Sequence, residues 1–108
     1  MTDEGLSEQD FHMKADQALE AADHALLELA DSEGFDVEIQ GGVLNVLFDH
    51  PTPARFVVSP NAPVRQIWVS ALVRSFKLSW SHRLGGFALD DETLPALLLR
   101  LTQQHLKS

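Results

Sequence analysis

The chain has 108 residues, which is enough for one domain around one hydrophobic core, and we expect a single domain over residues 1–108. It contains no cysteine, which excludes disulfide bonds, cysteine-ligated metal centres and thiol catalysis on this chain. The formal net charge is −8, so nucleic acid is not an expected partner, because its phosphates would be repelled.

The first predicted element is an amphipathic helix of roughly 20 residues. Ser7 or Asp10 is a suitable cap at its start, and Gly34 is suitable at its end. Leu27 lies on the side of this helix that carries Asp16, Glu20 and Asp23, where no core would bury it. Apolar residues recur at steps of three and four and so share the other side of the helix. These residues are Phe11, Ala15, Leu19, Ala22, Leu26 and Leu29.

Five or six short strands are predicted after this helix. Apolar and polar residues alternate in several of them, and glycine or proline marks the links between them. Because the links are short, neighbouring strands must pair antiparallel. The predicted strands are Phe35–Gln40, Val43–Phe48, Arg55–Ser59, Arg65–Ala71, Arg74–Trp80 and a short strand near Phe87–Leu89.

A second helix is predicted at the end of the chain. Thr93 is a suitable cap, and Pro95 lies in the first turn, where proline is tolerated. Its buried stripe is expected to consist of Leu94, Leu97, Leu98, Leu101 and Leu106. The predicted fold class is α+β, a two-layer α/β sandwich in which the N- and C-terminal helices pack on one face of a five- to six-stranded antiparallel sheet.

The other face of the sheet would be open to solvent. In the fourth predicted strand, Ile67 and Val69 would face the helices, so that Trp68 would face outward. An exposed tryptophan is often an anchor for a partner, although Trp68 could also pack over a neighbouring strand. The residues predicted to bind a partner here are Arg65, Gln66, Trp68 and Ser70.

The acids are concentrated at one end of the chain. Residues 1–40 contain 12 Asp or Glu and one Lys, whereas residues 41–108 contain 4 acids and 7 Lys or Arg. Carboxylates at this density repel each other, and cations or a basic protein surface are their natural partners. The alternative is a solvated helix face that only keeps the protein soluble.

Carboxylates spaced at i, i+4 and i+7 on a helix can approach one hard cation. Such an open site would bind weakly and would not discriminate among divalent and trivalent ions. The acids of residues 16–38 are Asp16, Glu20, Asp23, Glu28, Asp31, Glu33, Asp36 and Glu38, with His12 and His24 flanking those of the helix. The remaining histidines are expected to be surface residues, namely His50, His82 and His105.

No membrane role is expected, because no apolar run approaches the ~20 residues that a spanning helix needs. The first ten residues are polar and acidic and resemble neither a secretory signal nor a transit peptide. The expected compartment is the cytoplasm for a bacterial protein. For a eukaryotic protein it is the mitochondrial matrix, after removal of a transit peptide.

Three stretches of the chain resemble the frataxin family, and in particular its bacterial CyaY-like members. The resemblance extends from about residue 8 to about residue 106, nearly the whole chain. The stretches that support it are Asp10–Asp16, Asp36–Leu44 and Pro63–Ser70. The sequence departs from the family pattern after the tryptophan strand, where Ala71–Ser75 contains no glycine, and at Phe87, where a tryptophan is usual.

The resemblance implies the fold described above and a role in iron chemistry. Family members bind Fe²⁺ and Fe³⁺ weakly on carboxylates of the first helix and first strand, and other divalent cations are expected to substitute for iron. Carried over to this sequence, the resemblance implies a set of metal-binding residues: Asp16, Glu20, Asp23, Glu28, Asp31, Glu33, Asp36 and Glu38, with His12 and His24 beside them. They also bind the cysteine desulfurase and the scaffold protein that build iron–sulfur clusters. The resemblance therefore implies a non-enzymatic iron donor or regulator of cluster assembly, expected to be a monomer, with metal-driven oligomers as the alternative. Two other functions stay open: a ferroxidase that stores its product, and a metal-independent acidic interaction module.

Overall fold

Two helices and seven strands follow one another in the computed structural model, which describes residues 6–107. The strands form one antiparallel sheet in sequence order, β1 to β7, so that each hairpin link joins neighbours. The helices are α1 (Glu8–Glu33) and α2 (Leu94–Leu106). The strands are β1 (Asp36–Gln40), β2 (Val43–Phe48), β3 (Ala54–Asn61), β4 (Gln66–Ala71), β5 (Arg74–Ser81), β6 (Gly86–Leu89) and β7 (Glu92–Thr93).

This arrangement confirms the predicted fold class and corrects the number of strands. The missed strand is β7, whose two residues Glu92 and Thr93 pair with Leu89 and Ala88 of β6. A two-residue strand is too short for an apolar–polar alternation, so the sequence pattern does not reveal it. Thr93 does cap α2, although its side chain makes no capping hydrogen bond.

Helix α1 has 26 residues instead of about 20, because its ends are set by caps that lie outside the apolar stripe. At its start, Ser7 Oγ accepts a hydrogen bond from the Asp10 N–H at 3.1 Å. At its end, Gly34 adopts φ 79°, and its N–H donates to the Ala30 carbonyl at 2.8 Å. Both caps are residues that the sequence indicated, and glycine tolerates this left-handed conformation without strain.

The core lies between the helices and the inner face of the sheet. Ile67 and Val69 are buried there, as their alternation predicted. The ring of Phe11 in α1 meets that of Phe87 in β6 edge-on, with centroids 5.7 Å apart. Leu106 was expected in the buried stripe of α2, but it is only half-buried because it is the last residue of the helix.

The prediction that His105 is a surface residue is wrong. Only 4% of His105 is exposed, and its ring packs against Phe48 with centroids 4.6 Å apart. Its Nε2 donates a hydrogen bond to the Thr52 carbonyl at 3.1 Å. The last turn of α2 therefore packs over the link between β2 and β3, a contact between segments 53 residues apart that local sequence does not reveal.

A strained two-residue turn joins β4 to β5. Leu72 and Val73 adopt φ 54° and 61°, and Ala71 pairs with Arg74 across the turn. Such turns favour Asn-Gly because both central residues need positive φ, which is costly for a β-branched side chain. The Leu72 side chain packs against the core, whereas that of Val73 is fully exposed and makes no compensating contact with it.

We expect Val73→Gly to raise the free energy of unfolding by about 1 kcal/mol, because it removes left-handed strain of about 1–2 kcal/mol at the cost of some backbone entropy. Urea denaturation monitored by tryptophan fluorescence measures the change. Val64→Gly is the matched control: Val64 is also exposed but lies in a short 3-10 helix without positive φ, so glycine should lower stability there. If both variants lose stability, the turn is not strained.

Candidate functional site

The acids of α1 do not all lie on one side of the helix. At about 100° per residue, Asp16, Glu20 and Asp23 fall within about 60° of each other, and Asp31 extends the same stripe toward the C-terminus. We call these four residues the acidic face. Glu28 points roughly 100° away from its centre, and Glu33 is the last residue of the helix. Asp23 is half-buried, and the other acids of α1 named here are exposed.

The acidic face points away from the second helix. The opposite flank of α1, with Lys14 and Ala18, lines a groove against the start of α2 and the β5–β6 turn. Lys14 is the one basic residue in the first 40, and its Nζ lies 5.3 Å from the centroid of the Trp80 ring. Its charge is therefore directed away from the acidic face and leaves that face uncompensated.

The two acids of β1 lie on the open face of the sheet. Val37 pairs with the buried Val46 and so faces the helices, whereas Asp36 and Glu38 pair with Leu47 and Asn45 on the outer side. β1 is the edge strand of the sheet, and α1 packs beside it. The acids of α1 therefore lie on the helix side of this edge, and the acids of β1 lie on its open side. The structure therefore divides the predicted metal-binding residues between two surfaces.

Within residues 6–107, none of the predicted carboxylates forms an ion pair with Lys or Arg. The ion pairs of Lys and Arg within residues 6–107 lie toward the C-terminus, where Arg83 contacts Asp91 and Arg100 contacts Glu92. Hydrogen bonds from Arg100 lower the pKa of Glu92. In the part of the chain that the structure describes, the acidic face has no such partner, so its negative charge is available to attract an external cation.

The chemistry of the acidic face suits a hard cation, but its ligands are not assembled. In the described part of the chain, no three His, Asp or Glu side chains converge to hold a metal ion. His12 was expected near Asp16, but its Nε2 lies 3.9 Å from Glu8 Oε2, one turn earlier. His24 is exposed on the same helix. A bound ion would have to draw exposed side chains together, which predicts weak and readily exchanged binding.

Trp68 lies on the open face of the sheet with 37% of its surface exposed. Its Nε1 donates to Gln66 Oε1 at 2.9 Å, and Gln66 Nε2 donates to Ser79 Oγ at 3.3 Å. Lys77 pairs with Trp68 across β4 and β5, and its Nζ lies 4.9 Å from the centroid of the indole ring. The indole is therefore held in one orientation, which is how a rigid anchor for a partner is built.

Of the residues predicted to bind a partner, Ser70 is exposed on the same face as Trp68, whereas Arg65 is used within the chain. Arg65 Nε donates to the Leu6 carbonyl at 3.1 Å, and its Nη1 donates to the Ala62 carbonyl. These bonds hold the start of the described chain against the turn before β4. Sequence reasoning did not identify Lys77 as a neighbour of Trp68, because only the strand register shows that the two are opposite each other.

In residues 6–107 there is no helix with the length and apolar content to cross a membrane.

Comparison with known proteins gives a consistent result. The sequence matches the frataxin-like domain family over residues 4–108. It is 34% identical over 103 residues to the iron–sulfur cluster assembly protein CyaY of Pseudomonas aeruginosa, covering 90% of this chain and 88% of that protein. It is 33% identical over 88 residues to the protein of the same name from Cupriavidus metallidurans, covering 75% of this chain and 78% of the relative. The solved frataxin structure from Psychromonas ingrahamii aligns with a TM-score of 0.71 at 15% identity, covering 95% of this chain and 94% of the other, which shows a common fold.

Proposed function

This chain belongs to the frataxin-like family, and from that premise we propose that it is an iron-binding protein that donates iron to, or regulates, iron–sulfur cluster assembly. The observation that supports iron binding most directly is the uncompensated acidic face of α1. Iron ions are hard cations that prefer carboxylate oxygens, and the open face suits a cargo that must be released again.

The same face suits a basic protein surface. The proposed partners are the cysteine desulfurase, which would bind the acidic face through its own positive charges, and the scaffold protein, which would bind the open sheet face around Trp68 and Gln66. The relatives named above are bacterial proteins of iron–sulfur cluster assembly, and the cytoplasm is the proposed compartment. We propose that the chain acts as a monomer.

A metal-independent interaction module is the second candidate, and one observation favours it: no three ligands converge in the described part of the chain. In that case the carboxylates would bind only the basic partner. The ferroxidase alternative uses the same carboxylates, and oxygen uptake on adding Fe²⁺ would separate it from simple binding.

Titration with Co²⁺, or with Fe²⁺ under anaerobic conditions, is expected to shift or broaden the amide signals of residues 16–38 and to leave those of α2 unchanged. Nuclear magnetic resonance of labelled protein measures this directly. The double variant Glu20→Gln with Asp23→Asn should weaken Co²⁺ binding several-fold, because it removes two of the clustered charges. Asp90→Asn removes an exposed acid far from α1 in sequence and serves as the matched control. Uniform or absent shifts would favour the metal-independent module.

A further inference from the structure

All the charged residues of the central strands are basic. From Ala54 to Leu89, which covers β3 to β6, the sequence contains no Asp or Glu and five basic residues. These are Arg55, Arg65, Arg74, Lys77 and Arg83. In a chain with net charge −8, this segregates the charge: most acids lie on α1 and on the edge strand β1, whereas the central strands of the same sheet carry only basic residues.

A groove of about 220 Å³ lies within this cationic region on the open face, beside Trp68. Register places its residues in two rows: Val57, Ser70 and Ser75 are opposite one another, and Ser59, Trp68 and Lys77 form the next row. Among residues 6–107, no carboxylate lines the groove. Its walls offer three hydroxyl groups and one ammonium group above an apolar floor.

These donors are available to a ligand. Within residues 6–107, the hydroxyls of Ser59, Ser70 and Ser75 take part in no side-chain hydrogen bond. Lys77 forms no ion pair in the described structure, and its contact is with the indole face of Trp68. Hydroxyl and ammonium donors around an apolar floor are the complement of a carboxylate on a polypeptide.

A second cation on this face indicates the size of the ligand. Arg55 is exposed and its neighbour Phe56 is buried, so Arg55 points to the open side two residues before Val57. By strand spacing and rise, the backbones at Arg55 and Lys77 are roughly 16 Å apart. A single small anion cannot contact both, whereas five or six extended residues with acidic side chains can.

We infer that the groove lined by Ser59, Ser70, Ser75 and Lys77 binds an acidic segment of a partner protein, with Arg55 receiving a second carboxylate. This inference rests on the proposed function, because it assumes a partner in iron–sulfur cluster assembly. It adds that the partner segment bound by the sheet is acidic. The protein would then bind a basic partner through α1 and an acidic partner through the sheet at the same time.

Two labelled octapeptides test this, one alternating glutamate and valine and the other alternating lysine and valine. The glutamate peptide should shift the amides of residues 57–59, 68–70 and 75–77 and the Trp68 indole N–H. The lysine peptide should shift α1. Lys77→Glu should weaken the glutamate peptide at least 10-fold and leave the lysine peptide within 2-fold. The matched control Lys107→Glu changes an exposed lysine beyond α2, and it should leave the glutamate peptide within 2-fold.

Equal weakening by Lys77→Glu and Lys107→Glu would overturn the inference, because binding would then depend only on net charge. Inorganic phosphate that binds the groove as tightly as the glutamate peptide would also overturn it, by making the site one for a small anion. If the lysine peptide and Co²⁺ bind α1 while the glutamate peptide does not bind, this inference fails and the proposed function stands. Thermal unfolding of each variant verifies that it is folded.

Discussion

Replacing His105 by alanine is expected to lower the free energy of unfolding by about 3 kcal/mol, close to the loss for truncating a buried aromatic side chain. The ring is 96% buried and packs against Phe48 and Phe56, so its removal leaves a cavity in the core. It also removes the donor to the Thr52 carbonyl, which is then left without that partner. Urea denaturation at neutral pH measures the loss.

Two further variants separate packing from hydrogen bonding at this position. His105→Phe retains the aromatic contacts but not the bond to Thr52, so it should lose only about 1–2 kcal/mol. His24→Ala removes an exposed histidine of α1 and should change stability by less than about 0.5 kcal/mol. If His105→Ala loses no more stability than His24→Ala, then the end of α2 does not pack on the β2–β3 link.

Reversing two charges on the acidic face is expected to weaken desulfurase binding by about 30-fold at low salt. Glu20→Lys with Asp23→Lys changes the charge of this face by four units, and an exposed charge interaction contributes up to about 1 kcal/mol. The loss should shrink to a few-fold at 0.5 M salt, because the Debye length falls well below the ~10 Å found at 0.1 M. Surface plasmon resonance at several salt concentrations measures both the affinity and the association rate.

A control with the same net charge tests whether position matters. Asp49→Lys with Asp91→Lys also adds four units, but it changes the β2–β3 link and the β6–β7 turn, away from the acidic face. It should weaken binding by less than about 3-fold, since mainly long-range attraction is lost. Equal losses in the two double variants would show that the desulfurase responds to the overall charge and not to α1.

Much of the candidate site could be located from local sequence patterns. The stripe from Phe11 to Leu26 assigned one side of α1 to the core, so that Asp16 and Glu20 had to lie elsewhere. The alternation around Ile67 likewise directed Trp68 to solvent. Both inferences use the fixed geometry of a helix or a strand, which depends only on residue spacing.

Local patterns could not show how the acids of α1 and β1 lie relative to each other. The alternation in β1 assigned Asp36 and Glu38 to solvent, but only strand pairing shows that β1 is the edge strand, with α1 packed beside it. It also could not show that Lys14 turns toward Trp80 and leaves the acidic face without a counter-charge. These arrangements depend on which elements pack and pair with each other. The periodicity within one element carries no information about its neighbours.

The sequence by itself determined the order of the two long helices and of six of the seven strands, the buried side of each long element and the segregation of charge along the chain. Only the tertiary structure decided the burial of His105, the internal use of Arg65 and the placing of Lys77 over Trp68. The physical reason is that residue spacing fixes the direction of a side chain relative to its own backbone. The groups that it meets there come from segments distant in sequence, and only folding brings them together.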